Sequence, residues 1–364
     1  MENKENIARL IDVAKRRIGS IDINGLNSII DPNKDNMLKK NTRELNYKKE
    51  KIVRSIGASR STLPDKGRLN EKFFTKVNGN FHSIYMPEEG SFNAGIVRYN
   101  KEKLICVYRP DEYNFIGCYL DNNYNVIKGS YYKFKINNCA DPRVLWNSKN
   151  QLILIYSSVD KSEFSKEHIC GTVIIENKES GVFVDRPAFR ISPINLEGRQ
   201  KNWMPFTYNN KIHLIAHVNP HVIYELNDNN VCKKLYETKW KSPWMIKESL
   251  RGSTNAIRLD DGNYLSTFHT SMNHRGKLYY DNGCYIFSGK PPFNVLKCAN
   301  RTYLPAEAAC EKHFRKANDI VCNFPVGMIV EDNKVIISYG DNDTLVKIVE
   351  YKLEDLIKTM VDIY

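Results

Sequence analysis

The chain has 364 residues, 41% of them hydrophobic and 11% aromatic, enough to bury a large core as one large domain or two modest ones. No apolar run approaches the length of a bilayer-crossing helix, which excludes a helical membrane span. The formal net charge of +12 points to anionic partners; phosphate, nucleotide-sugars, anionic glycans and nucleic acid are the candidates, and solvated surface lysine is the plain alternative.

Residues 1–75 differ from the rest of the chain. Ile7, Leu10, Ile11, Val13 and Ala14 recur at helical spacing with charges on the other face. Pro32 and the asparagine-rich stretch after it break that pattern, and a second polar, basic segment runs to Arg68. Much of the excess charge lies here, in Lys15-Arg16-Arg17, Lys39-Lys40 and Lys48 to Arg54. The region is predicted to be an N-terminal helical arm that packs on the main domain or on a second subunit, the latter giving a homo-oligomer. No nucleic-acid-binding motif accompanies the charge, which argues against nucleic acid as the partner. Met1 to Asn6 lack the apolar stretch of a secretion signal, and the nine cysteines form no Cys-x-x-Cys pair. Reduced, buried thiols in a cytoplasmic protein are the expectation.

From residue 76 the pattern changes to short β-runs, and five segments share one plan: a small or polar start, an apolar strand, a polar turn and a second strand ending in aromatic and polar residues. The first runs from Phe92-Asn93-Ala94-Gly95 to Tyr108-Arg109, the second from Ala140-Asp141-Pro142-Arg143 to Tyr156-Ser157. The third runs from Trp203-Met204-Pro205 to His217, the fourth from Ser253-Thr254-Asn255 to Phe268-His269, the fifth from Phe324-Pro325-Val326-Gly327 to Tyr339-Gly340. The turns between, such as Asn209-Asn210-Lys211 and Asp260-Asp261-Gly262-Asn263, suit hairpins. Five copies at intervals of roughly fifty to seventy residues predict an all-β fold, a five-bladed β-propeller over residues 76–364. The 21 tyrosines agree with strands or a sugar-facing surface.

In such an arrangement the first strand of each copy starts near the central channel, so the starts converge at one end of it. Those starts are Asn93, Asp141 with Arg143, the Lys201-Asn202-Trp203 lead-in, Thr254 and the Pro325 turn. Polar residues at the head of apolar strands must bond each other or face a ligand.

The segments resemble glycoside hydrolase family 130 and the related mannosyltransferase/phosphorylase family of five-bladed propellers. Phe92-Asn93-Ala94 with Tyr108-Arg109 is similar to that family's Asn-Pro-Ala and Tyr-Arg, and Asp141-Pro142-Arg143 to its Glu-Asp-Pro-Arg. Arg251-Gly252-Ser253-Thr254 with Phe268-His269 resembles the fourth-blade glycine-rich start and Tyr-His-Gly strand. Phe324-Pro325-Val326-Gly327 with Tyr339 to Thr344 resembles Phe-Pro-x-Gly and Tyr-Tyr-Gly-Ala-Ala-Asp-Thr. The likeness covers roughly residues 90 to 355. It departs at Ala140, where the family has glutamate, and at Lys201 to Phe206, which match the third-blade pattern loosely.

An inverting glycosidase needs an acid and a base, and the strand starts supply Asp141 without an evident second carboxylate. Phosphate is itself the nucleophile, so a phosphorylase needs one acid and a cluster of cations. The resemblance implies an inverting β-mannoside phosphorylase acting on a mannose-containing oligosaccharide or glycoconjugate. Asp141 would be the acid, passing its proton through a sugar hydroxyl. Asn93, Arg109, Asp343 and Thr254 would bind the mannose, and Arg143, Lys201, Arg251, His269 and Tyr280 the phosphate. No metal or organic cofactor is implied, inorganic phosphate being the co-substrate. The alternatives are a mannosyltransferase using a sugar nucleotide such as GDP-mannose, and a propeller that binds glycans or proteins without catalysis.

Bland readings compete at each position. Asp141 before proline can cap a turn, Arg109 can pair with Asp111 or Asp141 as a buried arginine, and His269 can be a core histidine. Asp343 can be a turn residue. His217 and His221, four apart, cannot share a helix face across Asn219-Pro220 and suggest no metal. Trp240 and Trp244 are read as a packed loop, with a sugar-stacking lip as the rival.

Overall fold

The computed structural model describes residues 77–364 except 159–166, 178–181, 194–195, 197, 245–249, 275–276 and 305–319. Strands make up nearly all of its regular structure, and their order follows the repeats. β1 (Asn80–Ile84) stands first. β2 (Phe92–Arg98), β3 (Lys103–Arg109), β4 (Asn114–Asp121) and β5 (Tyr132–Asn137) form an antiparallel meander. β6 (Cys139–Trp146), β7 (Leu152–Ser158) and β8 (His168–Asn177) form the next, with β9 (Val182–Asp185) and β10 (Phe189–Arg190) both pairing with β8. β11 (Met204–Tyr208), β12 (Lys211–His217), β13 (His221–Leu226) and β14 (Cys232–Thr238) form a third.

The remaining strands join in one ten-stranded sheet. They are β1 together with β15 (Arg251–Gly252), β16 (Ile257–Arg258), β17 (Tyr264–His274), β18 (Lys277–Phe287), β19 (Val295–Ala299), β20 (Ile320–Glu331), β21 (Lys334–Asp341), β22 (Leu345–Lys352) and β23 (Met360–Asp362). The short helix α1 (Leu353–Ile357) lies between the last two.

Burial falls from the inner strands outward, and the sequence carries that gradient. β3 (KLICVYR) and β7 (LILIYSS) are continuous apolar runs buried on both faces, whereas outer β5 (YKFKIN) alternates buried and exposed. Asparagine and aspartate make the tight turns: Asn209 and Asn210 have φ of 46° and 61°, Asp332 and Asn333 of 50° and 58°. That pair of left-handed residues is the two-residue hairpin geometry.

The core consists of layers between successive strand groups. Ile105, Phe115 and Val107 pack with Val144, Leu152 and Leu154 between the first two meanders. Leu145 and Ile153 meet Trp203 and Leu214 between the second and third. Phe206 and Ile215 meet Phe268 and Phe287 between the third and the β17–β18 hairpin. Leu265 and Cys284 meet Met328 and Ile337, and Ile329, Ile336 and Ile348 meet Ile96 and Leu104, which returns the series to its beginning. Each fully buried Leu, Ile or Phe contributes about 1.5–3 kcal/mol.

The sequence predicts five equal, separate sheets; two differences emerge. First, the fourth and fifth groups are sewn together, because Leu278–Tyr280 of β18 pair in parallel with Ile320–Cys322 of β20. Second, β1, which the repeat analysis did not single out, pairs antiparallel with β22 from Asn80↔Glu350 to Ile84↔Val346, so an early strand completes the last sheet. The predicted N-terminal arm (1–75) lies outside the described residues, and so does any subunit contact through it.

Close approach between the inner strands sets their spacing. A Cβ on Gly95 would lie 2.3 Å from the Pro142 carbonyl oxygen, and one on Gly252 would lie 2.4 Å from that of Asn202. Side chains close the other gaps. The Asn255 amide donates to the Met328 carbonyl at 3.2 Å, and its oxygen accepts from the Met328 N–H at 2.9 Å.

Candidate active site

The heads of the first two strand groups carry matching distortions. Pairing between β2 and β3 shifts register between Phe92 and Gly95, and pairing between β6 and β7 shifts between Ala140 and Arg143. The displaced residues are Asn93 and Asp141, both left-handed, with φ of 48° and 56°. Such conformations are uncommon outside glycine, asparagine and aspartate. A bulge re-aims a side chain, and here both short polar side chains turn towards one point.

The Asn93 amide donates to Asp141 Oδ1 at 3.0 Å and reaches Asp343 Oδ1 at 3.5 Å, bringing together residues 250 positions apart. Arg109 Nη1 lies 3.3 Å from the same Asp141 oxygen, its Nη2 donates to the Glu112 carbonyl at 2.9 Å, and its guanidinium covers the Phe92 ring. Asp111, the other candidate partner of Arg109, instead accepts from the Tyr113 and Asn114 backbone. The Arg109 and Asp141 side chains keep 12% and 15% exposure, so the cluster is sheltered but reachable. Gly340 is required beside it, because a Cβ there would stand 1.9 Å from Asn93 Oδ1.

Arg143 links this cluster to a second one. It is 1% exposed; its Nη1 donates to the Asp141 carbonyl at 3.0 Å and its Nε to the Ser253 carbonyl at 2.6 Å. Its Nη2 is buried with no hydrogen-bond partner. Burial pushes the guanidinium down to about 10, with Asp141 opposing, so it remains a cation at neutral pH.

His269, opposite Arg251 across the β15–β17 pair, bonds Ser253 Oγ through Nδ1 at 3.0 Å and stacks on Tyr280 with ring centres 5.5 Å apart. Burial, then the nearby Arg251, Arg143 and Lys201, hold its pKa well below the usual histidine value. Tyr280 is pushed up to about 12, chiefly by burial, and it feels Arg251, Asp343 and Asp141 together. Three cations thus disfavour a charge on this imidazole.

Lys201 sits 4.0 Å from the carboxylate of Glu167, which Arg199 also holds. Eight of the ten residues singled out from sequence therefore fall in two touching clusters, and Lys201 acts on His269 through its charge. Thr254 falls outside them. It is fully buried, with its hydroxyl 2.9 Å from that of Thr267, and it belongs to the packing between strands.

Sequence reasoning assigned no role to Ser253, which joins Arg143 to His269, and Asn202 entered only within the Lys201-Asn202-Trp203 lead-in, with no role of its own. Ser253 is one position from Thr254 and carried no separate signal. Asn202 did: it holds the repeat position of Asn93 and Asp141. Trp240 and Trp244 pack as loop anchors, their indoles donating to the Val218 and Ala299 carbonyls.

The neutral histidines give a pH prediction. His221 is 0% exposed, its Nδ1 2.9 Å from the Phe293 carbonyl, and burial pushes it down to about 4; His269 and His213 are lowered too, burial again being the main cause. The unfolded chain protonates these imidazoles near pH 6.5 and the native chain only at lower pH, so acid favours unfolding. The thermal midpoint should fall from pH 7.5 to pH 5, each such histidine costing up to about 1.4 kcal/mol per pH unit in that window. A midpoint that stays level would contradict their neutrality.

A family model for beta-1,4-mannooligosaccharide phosphorylase, the glycoside hydrolase family 130 model, matches residues 70–362. The chain belongs to glycoside hydrolase family 130. Family 130 members are mannoside phosphorylases and glycoside hydrolases acting on β-mannosides, and this chain is a carbohydrate-active enzyme of that kind.

Among solved structures, the fold is similar to a beta-1,2-mannobiose phosphorylase from Listeria innocua in complex with beta-1,2-mannobiose, at 14% identity and a TM-score of 0.53 over 79% of this chain and 94% of that one. It is also similar to a mannose phosphorylase from Leishmania mexicana in complex with phosphate ion, at 11% identity and 0.52 over 76% and 89%. A third likeness is to a GDP-Man-dependent mannosyltransferase from Leishmania mexicana, at 12% identity and 0.50 over 78% and 92%. No curated protein sequence matches the chain.

Proposed function

We propose that this family 130 chain is an inverting β-mannoside phosphorylase, with residues 76–364 folded as a five-bladed β-propeller around the site. The cyclic series of apolar layers supports the propeller, since five groups each pack on two neighbours. One observation carries the activity: Asp141, tied to Asn93 and Arg109, adjoins the cationic cluster of Arg143, Lys201 and Arg251.

The roles follow from position. Asn93, Arg109 and Asp343 hold the mannose whose bond breaks. The cations hold phosphate, and neutral His269 can donate to it without adding charge. Phosphate oxygen attacks the anomeric carbon as the bond to the leaving oxygen breaks. The proton from Asp141 passes through a sugar hydroxyl to that oxygen, and the product is α-mannose 1-phosphate. Arg109 and Asn93 then stabilise the carboxylate that remains.

Hydrolysis fits less well. Asp343 accepts from the same Asn93 amide as Asp141, at 3.5 and 3.0 Å, which assigns it to sugar binding rather than to the separate base with which an inverting glycosidase activates water. The eight cysteines among the described residues are free and buried, which supports a reducing, cytoplasmic setting, and no helix among those residues is long and apolar enough to cross a membrane.

Incubating the full chain with β-linked mannobioses and phosphate tests the reading. Phosphorus NMR should show α-mannose 1-phosphate forming only when phosphate is present. Free mannose released equally well without phosphate would overturn it in favour of hydrolysis, and product formed only from GDP-mannose would overturn it in favour of transfer.

A further inference from the structure

We propose that Asn202 is a third ligand-contacting residue of the site, equivalent to Asn93 and Asp141. The inference rests on the phosphorylase reading above. Asn202 heads the third strand group, two positions before Met204 of β11, as Asn93 stands two before Gly95 and Asp141 two before Arg143. It shares their backbone state, with φ of 61°. Three left-handed, non-glycine residues at one repeat position form a pattern that packing does not demand, because glycine would fill each without strain.

The side chain has no structural task. Asn202 is 4% exposed, its Oδ1 is buried with no hydrogen-bond partner, and its carboxamide makes no hydrogen bond among the described residues. A polar group in that state costs stability unless something satisfies it. A left-handed asparagine at a turn is normally solvated or bonded to its own backbone; the buried Oδ1 here is neither.

Its surroundings say what would satisfy it. Lys201 precedes it, and its carbonyl oxygen abuts Gly252, which lies between Arg251 and Ser253. Lys201 and Arg251 are two of the three cations that act on His269. The Asn202 backbone therefore lies against the strand start that carries Arg251 and Ser253. An amide offers both a donor and an acceptor, which matches a sugar phosphate: phosphate oxygens accept and sugar hydroxyls donate.

Glycine separates the two explanations. In Asn202→Gly the left-handed backbone is kept and the amide is lost, whereas Asn202→Ala strains the backbone as well. Asn202→Gly should keep the wild-type thermal midpoint or raise it, while phosphorolysis and affinity for α-mannose 1-phosphate, measured by calorimetry, fall about 10- to 100-fold, the worth of a hydrogen bond to a charged group. Asn202→Ala should lose activity and stability together.

Wild-type turnover and affinity in Asn202→Gly would overturn the inference alone and make the residue a backbone filler. A wild-type chain that neither forms nor binds α-mannose 1-phosphate would overturn the phosphorylase reading, and this inference with it.

Discussion

Asp141→Asn lowers kcat for phosphorolysis by about 10²–10⁴-fold, the usual contribution of a positioned general acid, and leaves the fold intact. Asparagine is close to isosteric with aspartate and tolerates the left-handed φ of 56° at this position, so the bulge persists. The Asn93 amide keeps an oxygen to bond, and Arg109 keeps its contact with the Glu112 carbonyl. What disappears is the carboxyl proton. The substrate KM should change little beside kcat, since the mannose-holding groups remain. Rates of both the forward reaction and its reversal from α-mannose 1-phosphate check this. A variant with wild-type turnover would remove Asp141 from the chemistry, and a melting point lowered by many degrees would show that its role is structural.

Gly95→Ala is expected to destabilise the chain by about 1–3 kcal/mol or more, the range for overpacking a tight interior, and to lower activity as well. The new methyl would lie 2.3 Å from the Pro142 carbonyl oxygen, a backbone atom that cannot rotate aside. Relief requires β2 and β6 to part, and those strands carry Asn93 and Asp141. The 3.0 Å bond between the two side chains then lengthens. Gly117→Ala is the comparison. Its methyl would meet the Phe134 ring at 3.1 Å, a side chain that can shift, so the cost there should be smaller and activity unchanged. Thermal melts and initial rates of the two variants decide the matter. Equal melting points would mean that the inner strands do not set the spacing of the site.

Much of this architecture was legible because it repeats. The strand pairs read from Phe92–Arg109, Ala140–Ser157 and Trp203–His217 appear as the first two strands of successive meanders, and their asparagine-rich turns adopt the left-handed geometry those residues favour. Periodicity reports burial, and burial is what the inner strands share. The seam between β18 and β20 was not legible, since parallel pairing between distant strands leaves no local pattern. Nor was β1, whose register with β22 depends on an edge far along the chain.

The candidate site divides in the same way. Asn93, Asp141 and Arg143 announced themselves as polar residues heading apolar strands. Thr254 did so too, but Thr267 meets its hydroxyl, and the adjacent Ser253 makes the link to Arg143 and His269. A sequence shows which strand head is polar; which of two neighbouring hydroxyls reaches His269 depends on the local turn of the backbone.

The seam between β18 and β20 has a mechanical consequence. His269, Tyr280 and Arg251 all belong to the sheet it creates, while Asn93 and Asp141 belong to sheets outside it. Arg251, His269 and Tyr280 thus share one stiff plate, whereas Asp141 and Arg143 hang from a neighbouring leaf joined to it by packing and by the Arg143–Ser253 hydrogen bond. Any widening needed to admit a sugar is cheaper between leaf and plate than within the plate, where three residue pairings would have to tear.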